Sequence, residues 1–162
     1  MKIFDALMDG LAFIAGLMIF LFTLFISYAV FVRYLGFRPP VWVLQFTEYE
    51  LLWITFLGAA WLLREKGHIK IDSLVSHLSP KSQGRIEVFN DFLGFIVSVV
   101  LFWIGLWNTI DLYQRGILDV RGVTLPKYPL FCVIPFGGLL LALQFARNIV
   151  SYLMAKNKNK EE

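Results

Sequence analysis

Four apolar runs, each long enough to cross a lipid bilayer, restrict this chain to folds built from membrane helices. The first, Leu11 to Val32, is about 22 residues, which at 1.5 Å per residue spans roughly the 30 Å hydrocarbon layer. Three more follow at Trp42 to Leu63, Val88 to Ile110 and Leu130 to Ala155. A chain that is 58% hydrophobic and 17% aromatic, with a mean hydropathy of +0.67, would leave far too much apolar surface around a water-soluble core of 162 residues. The predicted class is an all-α membrane protein of one domain with four transmembrane helices. The first run exceeds a signal-peptide core, no Ala-x-Ala-like cleavage site follows it, and Arg33 and Tyr34 give it an interfacial ending, so it is expected to stay as a helix.

The segments between the runs set the topology. "GFRPP", Gly36 to Pro40, breaks the chain into a tight turn, because proline lacks a donor and disfavours helix in the residue before it. Four helices put both termini on one side of the membrane. That side carries ten of the fifteen Lys and Arg residues, among them Arg64, Lys66, Lys70, Lys81, Arg85 and Arg147. The other side has Arg33, Arg38, Arg115, Arg121 and Lys127, and the imbalance predicts cytoplasmic termini. The basic residues fall between apolar stretches, which reads as membrane-flanking charge and not as a nucleic-acid face. In the second loop, Ile71, Leu74, Val75 and Leu78 share one helical face, so residues 69 to 79 are expected either as a short amphipathic helix lying in the interface or as an ordinary soluble helical turn. The end of the chain, "KNKNKEE" over 156–162, is expected to be a disordered tail.

The second run holds the feature that most needs explaining. "TEYELLWITFLGAAWLLREKGH" opens with Glu48 and Glu50, about 9 and 12 Å along a helix that starts near Trp42. A bare carboxylate at that depth costs several kcal/mol or takes up a proton. At 100° per residue the two side chains point about 200° apart, so they form neither an acid–base dyad nor a single cation site. Glu48 lines up with Leu52, Thr55 and Ala59, a small-residue stripe beside Gly58 that admits a close helix. Glu50 shares its face with Trp53, Leu57 and Trp61. A helix polar on two sides at one depth is expected to be sandwiched between protein, with a partner subunit on one side. Within the chain, Arg33, with Arg38 in reserve, is placed to pair with one glutamate. Such a pair could be a structural staple, a partner contact or an ion site. Asp91 and Arg147 are a second candidate pair, unless Asp91 caps a tilted helix end, and Asp111 and Arg115 form an i, i+4 pair.

No cofactor, metal or catalytic constellation is legible. Cys132 is a lone cysteine in an apolar run, His68 and His77 both lie in the second loop, and there is no glycine-rich phosphate loop and no nucleophile with an ordered base. The residues predict no enzyme and no substrate-binding group.

Three blocks, "VRYLGF", "EYELLWITFLGAAWLLREKGHIKIDSL" and "LPKYPLFCVIPFGGLLLAL", resemble the small membrane subunit of tripartite ATP-independent periplasmic (TRAP) transporters, the DctQ-like or Q subunit. The middle block is the most specific: Glu50, the run Phe56 to Ala60, then Arg64, Gly67, His68, Ile69 and Asp72. The resemblance implies a four-helix scaffold subunit bound to a large multi-helix permease, which carries an organic acid with sodium, and working with a periplasmic substrate-binding protein. It transfers no catalytic or substrate residue to this chain. The competing expectation is a self-assembling four-helix exporter or channel that couples ions through Glu48 or Glu50.

Overall fold

The computed structural model describes the backbone of residues 2–65 and 80–161, with side chains over 4–65 and 86–154. α1 (Lys2–Tyr34) ends where Gly36, at φ 83°, takes the left-handed conformation that closes a helix: its N–H donates to the Arg33 carbonyl at 3.0 Å and that of Phe37 to Val32 at 3.1 Å. Pro40, with φ −60° and ψ 138°, then leads into α2 (Val41–Arg64). α3 (Pro80–Gln114) opens on a proline, whose fixed φ suits a first helical turn, and ends like α1, with Gly116 at φ 59°.

A two-stranded hairpin follows, β1 (Leu118–Asp119) against β2 (Leu125–Pro126), antiparallel with Leu118 opposite Pro126 and Asp119 opposite Leu125. The last apolar run is split into α4 (Tyr128–Phe131) and α5 (Val133–Glu161). The break at Cys132 follows from Pro135, which has no N–H to donate to the Phe131 carbonyl.

α1 packs against α2, α2 against α5, and α5 against α3. Met8, Ala60 and Leu140 form one buried cluster and Ala15, Leu57 and Val133 another, so α1, α2 and α5 share the core while α3 lies along α5. Gly137 and Gly138 of α5 make this possible. A Cβ on the first would lie 2.7 Å from the Phe56 Cβ of α2, and on the second 2.9 Å from the Phe102 nitrogen of α3. Large apolar residues such as Phe13, Phe20, Trp103 and Trp107 remain on the outer faces of α1 and α3.

Both termini sit at one end of the molecule, called here the termini end; the hairpin and the α1–α2 turn mark the opposite, hairpin end. Among the described residues three stretches are long and apolar enough to cross a membrane: Phe4–Tyr34, Ile86–Gln114 and Tyr128–Met154. α2 matches the expected second span to within a residue at each end and is long enough, but Gln45, Thr47, Glu48 and Glu50 make its first half too polar to qualify by composition. Helix α5 continues to Glu161, over most of the segment expected as a tail. The expected amphipathic helix over 69–79 lies outside the described residues.

Candidate functional site

The polar start of α2 is covered by the chain's own hairpin. Gln45, Glu48 and Tyr49, at i, i+3 and i+4, project from one side of the helix. Gln45 is 1% exposed and uses both ends of its amide: Oε1 accepts from the N–H groups of Gly122 (3.2 Å) and Val123 (2.9 Å), and Nε2 donates to the Val123 carbonyl (3.0 Å) and to the Tyr49 hydroxyl (3.3 Å). The Tyr49 hydroxyl in turn donates to Asp119 Oδ2. Arg121 completes the network, with Nε donating to both Asp119 oxygens (3.1 and 3.2 Å), one terminal nitrogen to Asp119 Oδ2 (3.0 Å) and the other to Glu48 Oε2 (2.7 Å).

Gly122 lets the loop lie flat on the helix start, since a Cβ there would come within 2.6 Å of the Trp42 nitrogen. The Arg121 guanidinium, helped by the Tyr49 hydroxyl and the Gln45 amide, holds the Asp119 carboxyl far below the usual carboxylate range. Asp119, and then Glu48, push Arg121 upward in the same way. The Asp119 side chain is 6% exposed, whereas Arg121 and Glu48 are each 48% exposed, so the ion pair grades from a desolvated inner half to a wet outer half. With its carboxylate engaged by a guanidinium and its hydroxyl donating to that carboxylate, the cluster offers no activated nucleophile or free base. It fastens a loop to a helix.

A second network closes the termini end. Arg64, at the end of α2, donates to the Asp5 carbonyl at 2.8 Å and pairs with Asp9 of α1 and with Glu65. Arg147 of α5 pairs with the Asp5 carboxylate. Three helices are thereby tied by two guanidinium groups. Among the described residues no three His, Cys, Asp or Glu side chains converge as a metal site would need.

These geometries correct the expected pairings. Glu48 is paired, but with Arg121 of the hairpin and not with Arg33, which is exposed at the end of α1; Arg38, in the turn after it, is exposed too. Arg147 pairs with Asp5 in place of the expected Asp91. Glu50 faces inward with Oε2 buried and without a hydrogen-bond partner. Thr55 bonds back to the Leu51 carbonyl at 2.7 Å, and a Cβ on Gly58 would meet nothing within 4 Å, so among the described residues no helix packs closely on the stripe of Thr55, Gly58 and Ala59. Sequence reasoning missed Gln45, Tyr49, Asp119, Asp5 and Asp9. The alternation in "LDVRGVTLP", with a central glycine, was the signal for the hairpin, and it carries Asp119 and Arg121.

Two comparisons place the chain among known proteins. Residues 22–154 match the family model of the tripartite ATP-independent periplasmic transporters, DctQ component. A Haemophilus influenzae protein provisionally named a TRAP transporter small permease protein is 24% identical over 123 residues, covering 75% of this chain and 74% of the relative. That family comprises transporters and not enzymes. With the family match running from within α1 to within α5, through both fastened ends of α2, the chain belongs to the DctQ component family of the TRAP transporters.

Proposed function

We propose that this chain is the small, fixed scaffold subunit of a TRAP transporter in the bacterial inner membrane. It crosses the membrane four times with both termini in the cytoplasm, binds a large multi-helix permease, and so supports sodium-coupled import of an organic acid, such as a C4-dicarboxylate or sialic acid, delivered by a periplasmic binding protein. The family match over 22–154 carries the reading. Two guanidinium networks that tie α2 at both ends suit a static scaffold better than a moving element. On this reading α2 is the fourth span, its polar start covered by the hairpin.

The outward stripe of Thr55, Gly58 and Ala59 is then the place where a permease helix approaches. Co-expression tests this. The chain should co-purify with its permease, Gly58→Leu should reduce the yield of complex, and Gly58→Ala should preserve it. A monodisperse chain that transports solute alone would overturn the scaffold reading in favour of an exporter or channel. Solute uptake abolished by Glu50→Gln with assembly intact would count the same way.

A further inference from the structure

The hairpin end carries a second charged surface, separate from the fastening. Arg33 and Arg38 flank the α1–α2 turn, and both are exposed. Between them Tyr34, Leu35 and Phe37 are 88%, 54% and 68% exposed. Three acids of this end are engaged elsewhere, Glu48 and Asp119 by Arg121 and Asp111 by Arg115 at 2.8 Å, and Glu50 is turned inward with Oε2 buried. Among the described residues neither Arg33 nor Arg38 forms an ion pair. The backbone of the turn is set by the two bonds around Gly36, from the Gly36 N–H to the Arg33 carbonyl and from the Phe37 N–H to the Val32 carbonyl.

We propose that this turn binds the phosphate of an anionic phospholipid headgroup, with Arg33 and Arg38 on the phosphate and Tyr34, Leu35 and Phe37 against the upper acyl chain. Three features select a lipid over a protein acid. The two cations stand at the end of a helix apolar enough to cross the bilayer, where headgroup phosphates lie. The side chains between them are apolar or amphipathic, as an acyl chain requires and a free anion does not. Guanidinium groups also match phosphate oxygens in fork geometry.

Native mass spectrometry of the full-length chain, extracted from membranes in detergent and titrated with phosphatidylglycerol, tests the assignment. Diacylglycerol serves as the phosphate-free lipid and inorganic phosphate as the competitor. Removing one arginine, as Arg33→Gln or Arg38→Gln, should weaken phosphatidylglycerol binding about five-fold, and removing both about twenty- to thirty-fold. Replacing both by lysine should restore only part of it, since an ammonium keeps the charge and loses the fork, and Lys127→Gln should leave it unchanged. Arg38 lies beyond the end of α1, so its single variant reports on binding without disturbing a helix. Undiminished phosphatidylglycerol binding in the double glutamine variant would overturn the proposal, as would equal binding of diacylglycerol or displacement of the lipid by inorganic phosphate. If the double variant instead keeps its lipid and loses a co-purifying protein, the arginines belong to a protein interface and the lipid assignment falls.

Discussion

At the scale of single residues, the angle around α2 decides which glutamate meets what. Leu57 lies in the core shared with α1 and α5, and Glu48 is nine residues from it, which at 100° per residue is the opposite side of the helix. Glu50 is seven residues away and falls within about 20° of the core direction. That is why Arg33, close to Glu48 in sequence, does not reach it, while Arg121, 73 residues on, does. The short turn between α1 and α2 was legible, and so was the opposed placing of the two glutamates. Their partner was not, because a loop that doubles back onto a helix start leaves no periodicity.

Gln45→Leu should expose the cost of losing that contact. It removes the partners of the Gly122 and Val123 amides and of the Val123 carbonyl, which water can then take over, so the loop should lift off. Hydrogen exchange at Gly122 and Val123 should then quicken strongly, and Asp119→Asn should act in the same direction. The pH dependence follows from the depressed Asp119 carboxyl. A carboxyl lowered in the folded state stabilises fully above its unfolded value of about 3.9, and that stability is lost only as pH falls through the lower folded value. Protection of both amides, corrected for intrinsic exchange, should therefore stay constant from pH 8 to 5. Loss of protection within that window, or normal protection in Gln45→Leu, would show that the fastening does not hold the loop.

At the scale of elements, the turn between α1 and α2 was the readable part, since it is written by local residues, Gly36 and Pro40, that act within a turn of their own position; α3, by contrast, runs from Pro80 to Gln114, well past the apolar run 88–110. Which small residues admit a neighbouring helix was not readable, because glycine in an apolar helix looks the same whether its face is occupied or empty. Gly58 was expected to seat a helix, whereas among the described residues the close helix-to-helix approaches are at Gly94, Gly105, Gly137 and Gly138. The two kinds should respond oppositely to a methyl group. Gly138→Ala pushes a Cβ against the Phe102 backbone, which has nowhere to yield, and should destabilise by about 1–3 kcal/mol. Gly58→Ala meets nothing within 4 Å in this chain and should be neutral or stabilising by about 0.5–1 kcal/mol through helix propensity. Thermal unfolding of the two variants in one detergent reads the difference directly. Equal losses would mean that Gly58 is already packed.

For the whole molecule, the arrangement of helices puts both termini at one end and the hairpin at the other. Orientation rests on charge: ten of the fifteen basic residues belong to the side of the termini and the second loop, and basic loops are retained in the cytoplasm. The prediction is that the hairpin faces the periplasm. Cysteine labelling checks it after Cys132→Ser removes the single native thiol. Ser82→Cys, in the basic segment, should react with a membrane-impermeant maleimide only once the cytoplasmic side is opened. The hairpin probe must be chosen from the structure, because Gly122 has no room for a Cβ beside Trp42 and a cysteine there would unseat the loop it is meant to report on. Thr124 is exposed and takes part in neither guanidinium network, so Thr124→Cys should react in intact spheroplasts with the fold undisturbed. Labelling of Ser82→Cys from outside, with Thr124→Cys protected, would invert the topology. The lipid-facing turn at Arg33 and Arg38 would then lie in the inner leaflet.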